Sequence, residues 1–432
     1  MKIGAISLGC DKNRVDSEKM LFRLSERGHT FTSDENEAEV IIINTCGFIE
    51  SAKTEAIDEI LNALDYKAKN GAKVIVTGCL SQRYQAELAS SLPEVDLFLG
   101  TGDYDMLCDY LDNGNVDLKE VFKCRDKFIS GRVLTTPYHY AYLKIADGCS
   151  NKCTYCAIPY IRGAYRSEKI EDLTAEARKL ADDGVKELIL VAQDTTRYGI
   201  DLYGEKKLIE LLDELSKLDF KIIRLMYLEP EMLDDELIDY IASNDKIAKY
   251  CDVPLQHISD RLLKMMNRHT TKASTLELID KLKKRSIKIR SSFIVGFPTE
   301  TEEEFKELYD FIERSKLDFA GFFEYSAEEG TPAEKIKGKV KPSVIASRCK
   351  SLKKLQEKIL SDKCKSYIGQ TLSVVYDGID YDRQCFFGRT SFQMPDIDNL
   401  VYFESTVPVS VGEFYDVEIT GTDGIDLIGR VK

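Results

Sequence analysis

The stretch CSNKCTYC, residues 149–156, places Cys149, Cys153 and Cys156 close together in the chain. Three thiolates at this spacing can face one point, and cysteine thiolates are the usual ligands of iron–sulfur clusters. Three ligands leave the fourth iron of a four-iron cluster open for a substrate. A structural zinc site is the alternative, but it needs four closed ligands, and the nearest histidine, His139, lies ten residues upstream. We therefore predict an iron–sulfur centre in this loop.

The sequence on both sides of this loop alternates between strand and helix patterns from residue 136 to residue 366. Each apolar strand candidate is followed by an amphipathic helix pattern. The strand candidates are Tyr140–Ala146, Glu187–Ala192, Lys221–Leu225, Ile247–Val253, Lys288–Val295 and Phe319–Tyr325. Strands that each have a partner helix predict a full or partial β/α barrel, with its active site at the carboxyl ends of the strands.

Several polar or small residues directly follow these strand candidates. They are Gln193, Asp194, Gln256 and Gly296, with His257 next to Gln256. Residues at this edge of a barrel line its active site, and glycine lets the backbone approach a cofactor closely. We predict that the first four line a cofactor pocket, although each could also be an ordinary turn residue. His257 is the least specific of them, because a lone histidine is often only hydrogen-bonded structure.

Residues 1–130 also alternate between strands and helices, which predicts a doubly wound parallel sheet. A cysteine follows each of three strand candidates: Cys10 after Ile3–Leu8, Cys46 after Val40–Asn44 and Cys79 after Lys73–Thr77. The carboxyl ends of parallel strands lie at one edge of the sheet, so these thiols should meet. The alternative is three unrelated buried thiols, but chance does not readily place all three at the same edge. We therefore predict a second three-thiolate cluster site.

Residues 367–432 change to short alternating strands with glycine turns, which predicts a small antiparallel β-barrel. This segment holds eleven acidic and four basic residues, a net charge of −7, and follows a basic helix predicted at Ser343–Lys365. We interpret the basic helix as a solvated face that packs the barrel onto the middle domain. An RNA-binding barrel would be basic, so an acidic one favours a basic protein partner. The acids expected to face it include Asp377, Asp380, Asp382, Asp396 and Asp398.

The composition bounds the remaining possibilities. The chain has 432 residues and a formal net charge of −14, which disfavours non-specific binding to phosphate backbones. No apolar run approaches the roughly 20 residues of a membrane-spanning helix. The apolar run near the start of the chain is too short for the core of a signal peptide. We expect a cytoplasmic protein with reduced thiols. The other cysteines show no ligand spacing and are interpreted as small apolar fillers: Cys108, Cys124, Cys251, Cys349, Cys364 and Cys385.

The chain resembles a known family along essentially its whole length. The cysteine loop resembles the radical SAM motif, and the residues after it, AIPYIRG at 157–163, are similar to the methylthiotransferase branch of that superfamily. The segments PLQ at 254–256 and GFPTET at 296–301 agree with this branch. The signature SLGCDKNRVDSE at 7–18, together with AQDTTRYG at 192–199 and FEYS at 323–326, resembles the RimO-like class. Asp11 departs from the proline that is usual there.

The resemblance implies an activity, cofactors and partners. It implies a central radical SAM core at residues 136–366 and a TRAM domain at 367–432. Cys149, Cys153 and Cys156 would hold one [4Fe-4S] cluster that binds S-adenosylmethionine, and Gln193, Asp194, Gln256 and Gly296 would belong to its pocket. Cys10, Cys46 and Cys79 would hold the second cluster. The reaction would add a methylthio group to an aspartate of small-subunit ribosomal protein twelve, free or on the ribosome, with an electron donor and a sulfur source.

Other functions remain possible at this point. The first is an adenosine methylthiotransferase of the MiaB-like or MtaB-like class, which performs the same chemistry on tRNA. A non-catalytic iron–sulfur redox protein and a translation-associated binding protein are further alternatives. The three-cysteine loop with its open coordination site argues against the last two. The resemblance implies no catalytic side chain, since the cofactor carries the radical.

Overall fold

A computed structural model of the chain describes residues 1–116, 121–122, 128–129 and 131–432. Its first part is a parallel sheet in the order β2-β1-β3-β4-β5. The strands are β1 (Lys2–Ser7), β2 (Thr30–Thr32), β3 (Val40–Thr45), β4 (Lys73–Gly78) and β5 (Leu97–Phe98). The helices are α1 (Asp11–Glu26), α2 (Glu50–Asn70), α3 (Cys79–Arg83), α4 (Gln85–Ser91) and α5 (Tyr104–Asn113). Apolar cores lie on both faces of the sheet, which confirms the doubly wound prediction.

Helix α1 differs from the sequence expectation in a way that matters for the site. Its apolar periodicity predicts a helix from Ser17, but the helix begins at Asp11. Most residues of its first turns are polar and nevertheless buried against the rest of the molecule, so an apolar pattern could not reveal them. Glu18, for example, accepts a hydrogen bond of 2.8 Å from the amide of Thr135. The sequence also predicts a linker at 117–137, and this segment lies partly outside the described residues. Cys124 lies outside them as well.

The middle of the chain forms a second parallel sheet, in the order β6-β9-β10-β11-β12-β13. Its strands are β6 (Tyr140–Lys144), β9 (Glu187–Val191), β10 (Ile222–Leu225), β11 (Ile247–Asp252), β12 (Lys288–Val295) and β13 (Phe319–Glu324), and a small antiparallel pair is formed by β7 (Ala146–Asp147) and β8 (Arg166–Ser167). In the described part of the chain β6 and β13 stay at opposite ends of this order. The barrel is therefore partial. We call the carboxyl-terminal edge of this sheet the mouth.

The middle region also contains the helices that connect and follow these strands. They are α6 (Ile158–Ile161), α7 (Ile170–Asp182), α8 (Ile200–Tyr203), α9 (Leu208–Ser216), α10 (Asp235–Ser243), α11 (Asp260–Met265), α12 (Lys272–Lys284), α13 (Glu302–Ser315) and α14 (Pro342–Lys365). Of these, α7, α9, α10, α12, α13 and α14 share a large apolar core with the strands. The basic helix α14 packs its buried residues, such as Leu352 and Leu355, into that core. Within the described residues, no helix combines the length and apolarity needed to cross a membrane.

The last domain is a closed barrel in the order β14-β15-β16-β18-β17. Its strands are β14 (Thr371–Asp380), β15 (Cys385–Thr390), β16 (Val401–Glu404), β17 (Phe414–Asp423) and β18 (Asp426–Val431). The predicted small barrel is confirmed, but β16 and β18 pair in parallel while the other neighbours are antiparallel. An odd number of strands cannot alternate in direction all the way round a closed ring. One parallel pair is therefore unavoidable.

Buried ion pairs hold this barrel against the beginning of strands β6 and β9. Arg389 bonds Asp377 at 2.7 Å and reaches across to Glu187 at 2.9 Å. His139 Nε2 lies 2.7 Å from Asp377. Although Glu187 is buried, the neighbouring Arg224 and Arg389 lower its pKa. Breaking such a buried pair leaves an uncompensated charge, so these contacts fix where the barrel lies.

These contacts correct part of the sequence expectation for the acidic barrel. Asp377 is committed to Arg389, and the side chain of Asp398 is 1% exposed and pairs with Arg290. Asp398 also accepts a hydrogen bond of 2.8 Å from the hydroxyl of Tyr250. Both carboxylates therefore face the central domain and not an outside partner. The reason is that a barrel docked on basic side chains needs acids at the contact.

Candidate active site

The loop cysteines, Cys149, Cys153 and Cys156, follow the short strand β7 and precede α6. The loop is held at its start by the amide of Cys149, which donates to the carbonyl of Gly163 at 3.1 Å. Gly148 has φ +75°, and a Cβ there would lie 2.3 Å from the carbonyl oxygen of Ala164. Only glycine fits this close turn. The backbone therefore sets the position of the first thiol.

Burial and mutual charge dominate the electrostatics of the loop cysteines. The pKa of Cys149 is raised to about 11 and that of Cys156 to about 12, mainly by burial, and the charge of Cys153 contributes to both increases. Each thiol thus lies close enough to another to sense its charge. Arg268 Nη1 lies 3.8 Å from the Sγ of Cys153. Arg268 therefore places a cationic hydrogen-bond donor beside this sulfur.

The strand-end cysteines, Cys10, Cys46 and Cys79, lie at the carboxyl edge of the first sheet. They follow β1, β3 and β4, which are adjacent strands. A Cβ at Gly9 would lie 2.9 Å from the Sγ of Cys46, so the turn before Cys10 has no room for a larger residue. Burial raises the pKa of Cys79 to about 12, and thiolates at Cys10 and Cys46 are among the charges that raise it. The structure therefore brings the three thiols together.

Arg162 lies between the two sets of cysteines. It follows α6, the helix after the loop cysteines, and its Nη1 pairs with Asp16 at 2.8 Å and with Asp147 at 3.2 Å. Its charge lowers the pKa of Cys79, which burial raises. Cys79 packs directly against Ala157 and Ile161 around α6. The strand-end cysteines of one domain and the loop of the other therefore share one interface.

Both sets of thiols have the donor chemistry of iron–sulfur cluster sites. Within the described residues, no three His, Cys, Asp or Glu side chains converge on a single-ion site. Thiolates that each bind a different iron of one cluster lie further apart than the ligands of one ion. Each set offers only cysteine sulfur and supplies three donors, which leaves one iron of a four-iron cluster without a protein ligand. The loop cysteines and the strand-end cysteines could each hold such a cluster.

Two of the predicted mouth residues contact the loop and its surroundings. Gln193 Nε2 donates to Asp147 at 3.1 Å, and its Oε1 is buried with no hydrogen-bond partner. Asp194, which is 1% exposed, accepts a hydrogen bond of 2.9 Å from Asn151, inside the cysteine loop. It also accepts one of 2.6 Å from Thr196. Asp194 therefore positions the loop, whereas the unpaired Gln193 oxygen faces a site that could take a donor.

Gln256 and His257 lie together at the end of β11. Gln256 has φ +68°, in the left-handed region that favours glycine. Its amide donates to Ser292 and its carbonyl accepts from Ile294, both at 2.8 Å. Burial lowers the pKa of His257 to about 4, and its Nδ1 accepts from the amide of Ser259 at 3.0 Å. His257 is thus a neutral hydrogen-bonded residue, and Gln256 stays a predicted pocket residue.

Gly296 has a neighbour other than the expected cofactor. Its φ is +80°, and a Cβ there would lie 2.4 Å from a side-chain carbon of Ile345 in α14. Its amide donates to Glu300 at 2.7 Å. The packing of α14 therefore accounts for the glycine, and a contact between Gly296 and a cofactor stays a prediction.

The structure shows an ion pair at the mouth that was not predicted from the sequence. Glu229 follows β10 at the mouth and bonds Arg268 Nη1 at 2.8 Å. Burial raises the pKa of Glu229 to about 7 even though Arg268 lies beside it. Arg268 also donates to the carbonyl of Pro254 at 2.8 Å. Gln193 was predicted because it follows a strand of this sheet. Glu229 also follows one, so its position in the sequence could have identified it.

Three family models match successive parts of the chain. The Radical SAM superfamily matches residues 143–312, the uncharacterized protein family UPF0004 matches residues 2–100, and the TRAM domain matches residues 368–431. Among solved structures, the radical S-adenosylmethionine methyltransferase TsrM from Kitasatospora setae has a TM-score of 0.57 at 14% identity, over 77% of this chain and 73% of that one. The radical enzyme OxsB has a TM-score of 0.53 at 13% identity, over 83% and 56%. These two show the fold alone. The superfamily match and the cysteine loop define a radical SAM enzyme.

Curated relatives narrow the class. The ribosomal protein uS12 methylthiotransferase RimO of Acetivibrio thermocellus is 47% identical over 100% of this chain and 98% of its own length. The protein of the same name from Clostridium tetani is also 47% identical, over 100% and 98%. The chain therefore belongs to the RimO family of ribosomal protein uS12 methylthiotransferases. This confirms the resemblance predicted from the sequence and favours it over the tRNA-modifying class.

Proposed function

We propose that this enzyme adds a methylthio group to the β-carbon of an aspartate in ribosomal protein uS12. The observation that carries the proposal is the shared interface of the loop cysteines and the strand-end cysteines, bridged by Arg162. A reaction that activates an unactivated carbon and inserts sulfur there needs two functions at one place. Two three-thiolate sites that open on the same region supply the positions for both. Membership of the RimO family supports uS12 as the substrate.

The protein's own residues hold and orient the reacting groups. Cys149, Cys153 and Cys156 would hold one [4Fe-4S] cluster, and the strand-end cysteines would hold the other. With S-adenosylmethionine bound, these groups supply a carbon-centred radical and the sulfur to be inserted. The loop lies at the mouth, where parallel barrels bind their substrates. The unpaired oxygen of Gln193 is suited to accept a hydrogen bond from the amino group of S-adenosylmethionine.

Arg162 and its partners keep the two sites in register. Asp16 of α1 and Asp147 of β7 both pair with Arg162, and each belongs to a different domain. Asn13, three residues after Cys10, accepts a hydrogen bond of 3.2 Å from Arg162 Nη2. A shift of either domain would break buried charged contacts. This fixed geometry suits a reaction whose parts must be positioned closely.

We propose that the exposed part of the acidic barrel contacts the basic substrate protein. The hairpin face comprises the tip between β14 and β15 and the strands beside it: Asp380, Tyr381, Asp382, Glu404 and Asp423. Tyr381 is 83% exposed, which makes it available as an aromatic anchor. Arg383 is a cation within this face and pairs with Asp423 at 2.8 Å. Unlike Asp377 and Asp398, these acids are not buried against the central domain.

Anaerobic turnover with two purified substrates tests the function. Reconstituted enzyme, S-adenosylmethionine, a reductant and sulfide are incubated with uS12 or with unmodified tRNA, and each product is examined by mass spectrometry. We expect the mass of one methylthio group on an aspartate peptide of uS12 and none on tRNA. Methylthiolated adenosine with unmodified uS12 would refute the proposal. We expect the enzyme to act in the cytoplasm. Replacing the reductant and the sulfide with cellular candidates would identify the electron donor and the sulfur source.

The hairpin face has its own test. Because the barrel contacts the beginning of strands β6 and β9, away from the mouth, its charges should affect capture and not chemistry. The triple variant Asp382→Asn, Glu404→Gln, Tyr381→Ala should raise KM for uS12 several-fold and leave kcat nearly unchanged. Neutralising two exposed acids of α12, Glu277→Gln and Asp280→Asn, provides a control of equal charge change. Equal effects of both variants would mean that only net charge matters and that the hairpin face is not a contact.

A further inference from the structure

Lys12 is a buried cation that forms no salt bridge with the described residues. It is 6% exposed, and no carboxylate of the described residues lies within 4.0 Å of its ammonium group. The ammonium instead lies 3.2 Å from the centre of the ring of Tyr227. Burying an unpaired ammonium is unfavourable unless something compensates its charge. The aromatic face offers part of that compensation, and an anionic ligand would supply the rest.

Tyr227 holds this cation at the mouth of the central sheet. It follows β10, and its hydroxyl donates to Asp11 at 2.9 Å while its amide donates to Asp252 at 3.1 Å. Its φ is +60°, a strained conformation for an aromatic residue. Strained backbone of this kind persists where the surroundings over-determine it, which happens most at binding and active sites. The ring is therefore fixed under Lys12 and is not a casual neighbour.

The start of α1 adds to the same region. Cys10 is the N-cap of α1, and no side chain caps the first turn. The partial positive charge of a helix start and its free amides favour an anion. Cys10 and Asp11 are among the groups whose charge raises the pKa of Tyr227, after burial, so the strand-end cysteines lie close by. Lys12, the helix start and the open side of the strand-end cysteines thus converge.

The charges around Lys12 leave its ammonium available. Asp252, buried beside it, accepts from the Tyr227 amide, and burial raises its pKa to about 6. Asp11 accepts from the Tyr227 hydroxyl. Arg290 is paired with Asp398 of the barrel. The charge of Lys12 lowers the pKa of Asp252 somewhat, but no carboxylate of the described residues lies within 4.0 Å of the ammonium, so its hydrogen-bond donors remain for a ligand.

We propose that Lys12, seated on the ring of Tyr227, binds the side-chain carboxylate of the substrate aspartate. This inference rests on the proposed function and names the group that selects the substrate. If the β-carbon reacts, the carboxylate is one bond away and must enter a buried, low-dielectric site. An anion that enters such a site needs a cation with hydrogen-bond donors. A lysine ammonium provides both as a compact charge.

The test compares two substrates with three enzymes. The substrates are uS12 and uS12 with its target aspartate changed to asparagine, and the enzymes are the wild type, Lys12→Met and Lys12→Arg, all with reconstituted clusters. Affinity is measured anaerobically without reductant, by fluorescence anisotropy of labelled uS12. We expect the wild type to bind the aspartate substrate about 30-fold more tightly than the asparagine one, as for a buried charge pair. Lys12→Met should lose this preference, and Lys12→Arg should retain most of it.

Controls separate this role from others. Arg14→Met removes a neighbouring cation of α1 and should keep the preference for aspartate. Tyr227→Phe keeps the ring face and should keep most of it too. If Lys12→Met binds both substrates more weakly by the same factor, or keeps the preference but fails to insert sulfur, Lys12 does not bind the carboxylate and the inference is wrong. A wild type that does not modify uS12 would instead refute the proposed function.

Discussion

The loop cysteines come from one loop of eight residues, whereas the strand-end cysteines come from three strands between Cys10 and Cys79. The loop needs only its local backbone, with the close turn at Gly148, to bring its thiols together. The strand-end set needs the order and register of β1, β3 and β4 before its thiols meet. The comparison shows two routes to the same donor set, one local and one tertiary. Arg162 then joins the two.

The largest expected effect separates the roles of the two sets. Replacing all three loop cysteines with alanine should remove about half of the iron and abolish reductive cleavage of S-adenosylmethionine, because the cluster proposed to bind it would no longer be held. Cys10→Ala should keep that cleavage and lose the methylthio product. Iron assays, 5′-deoxyadenosine chromatography and mass spectrometry measure the three quantities. Normal product from Cys10→Ala, or zinc in place of iron, would show that the two-cluster assignment is wrong.

The next effect concerns the residue that joins the two sets. Arg162→Met should destabilise the cluster-free protein by about 3 kcal/mol, because it leaves Asp16 and Asp147 buried with fewer partners. The chain has no tryptophan, so urea unfolding is followed by far-ultraviolet circular dichroism. The control Arg27→Met removes an exposed pair with Asp112 and should change the midpoint little. Equal shifts of the unfolding midpoint in both variants would show that Arg162 does not stabilise the contact between the domains.

A third prediction uses pH to probe the end of β11 at the mouth, where His257 is buried. The pKa of His257 is lowered to about 4 by burial, from an ordinary value near 6.5. The unfolded chain therefore binds a proton that the folded chain excludes between these values. Stability falls as pH drops from 6.5 towards 4, with no contribution from His257 above that window.

His257→Gln should flatten this fall by at most about 1.4 kcal/mol per pH unit. The same change at His269, which is exposed, controls for the replacement of an imidazole by an amide. Midpoints of urea unfolding between pH 4 and 7 measure both. If the stability of His257→Gln depends on pH in the same way as that of the wild type, this histidine does not cause the loss of stability in acid.

The smallest effect tests whether other cysteines take part. Cys251 is fully buried in the core of the central domain. Its position in the sequence shows no spacing typical of a metal ligand. Cys251→Ala should cost about 1 kcal/mol of stability, a common value for a core substitution. Iron content and product formation should stay at wild-type levels. Loss of iron in this variant would mean that the assignment of only two cysteine sets is incomplete.

Local sequence patterns predict much of the fold and of the two cysteine sites. Alternating strand and helix patterns predicted both parallel sheets, since the periods of 2 and 3.6 residues arise from backbone geometry alone. The spacing of the loop cysteines predicted a metal centre, because all its determinants lie in one short segment. The strand-end rule placed Cys10, Cys46 and Cys79 at one edge, because parallel strands have a fixed direction.

Other features depend on contacts between residues that are distant in the chain. The early start of α1 at Asp11 was hidden because its buried face is polar and pairs with other domains, so no apolar period marks it. The inward-facing acids Asp377 and Asp398 carry the same charge in the sequence as the exposed Asp382, and only docking distinguishes them. Lys12 likewise becomes notable only once Tyr227 lies beneath it and its other neighbours are paired. Burial and pairing depend on residues far apart in the chain, which no local pattern encodes.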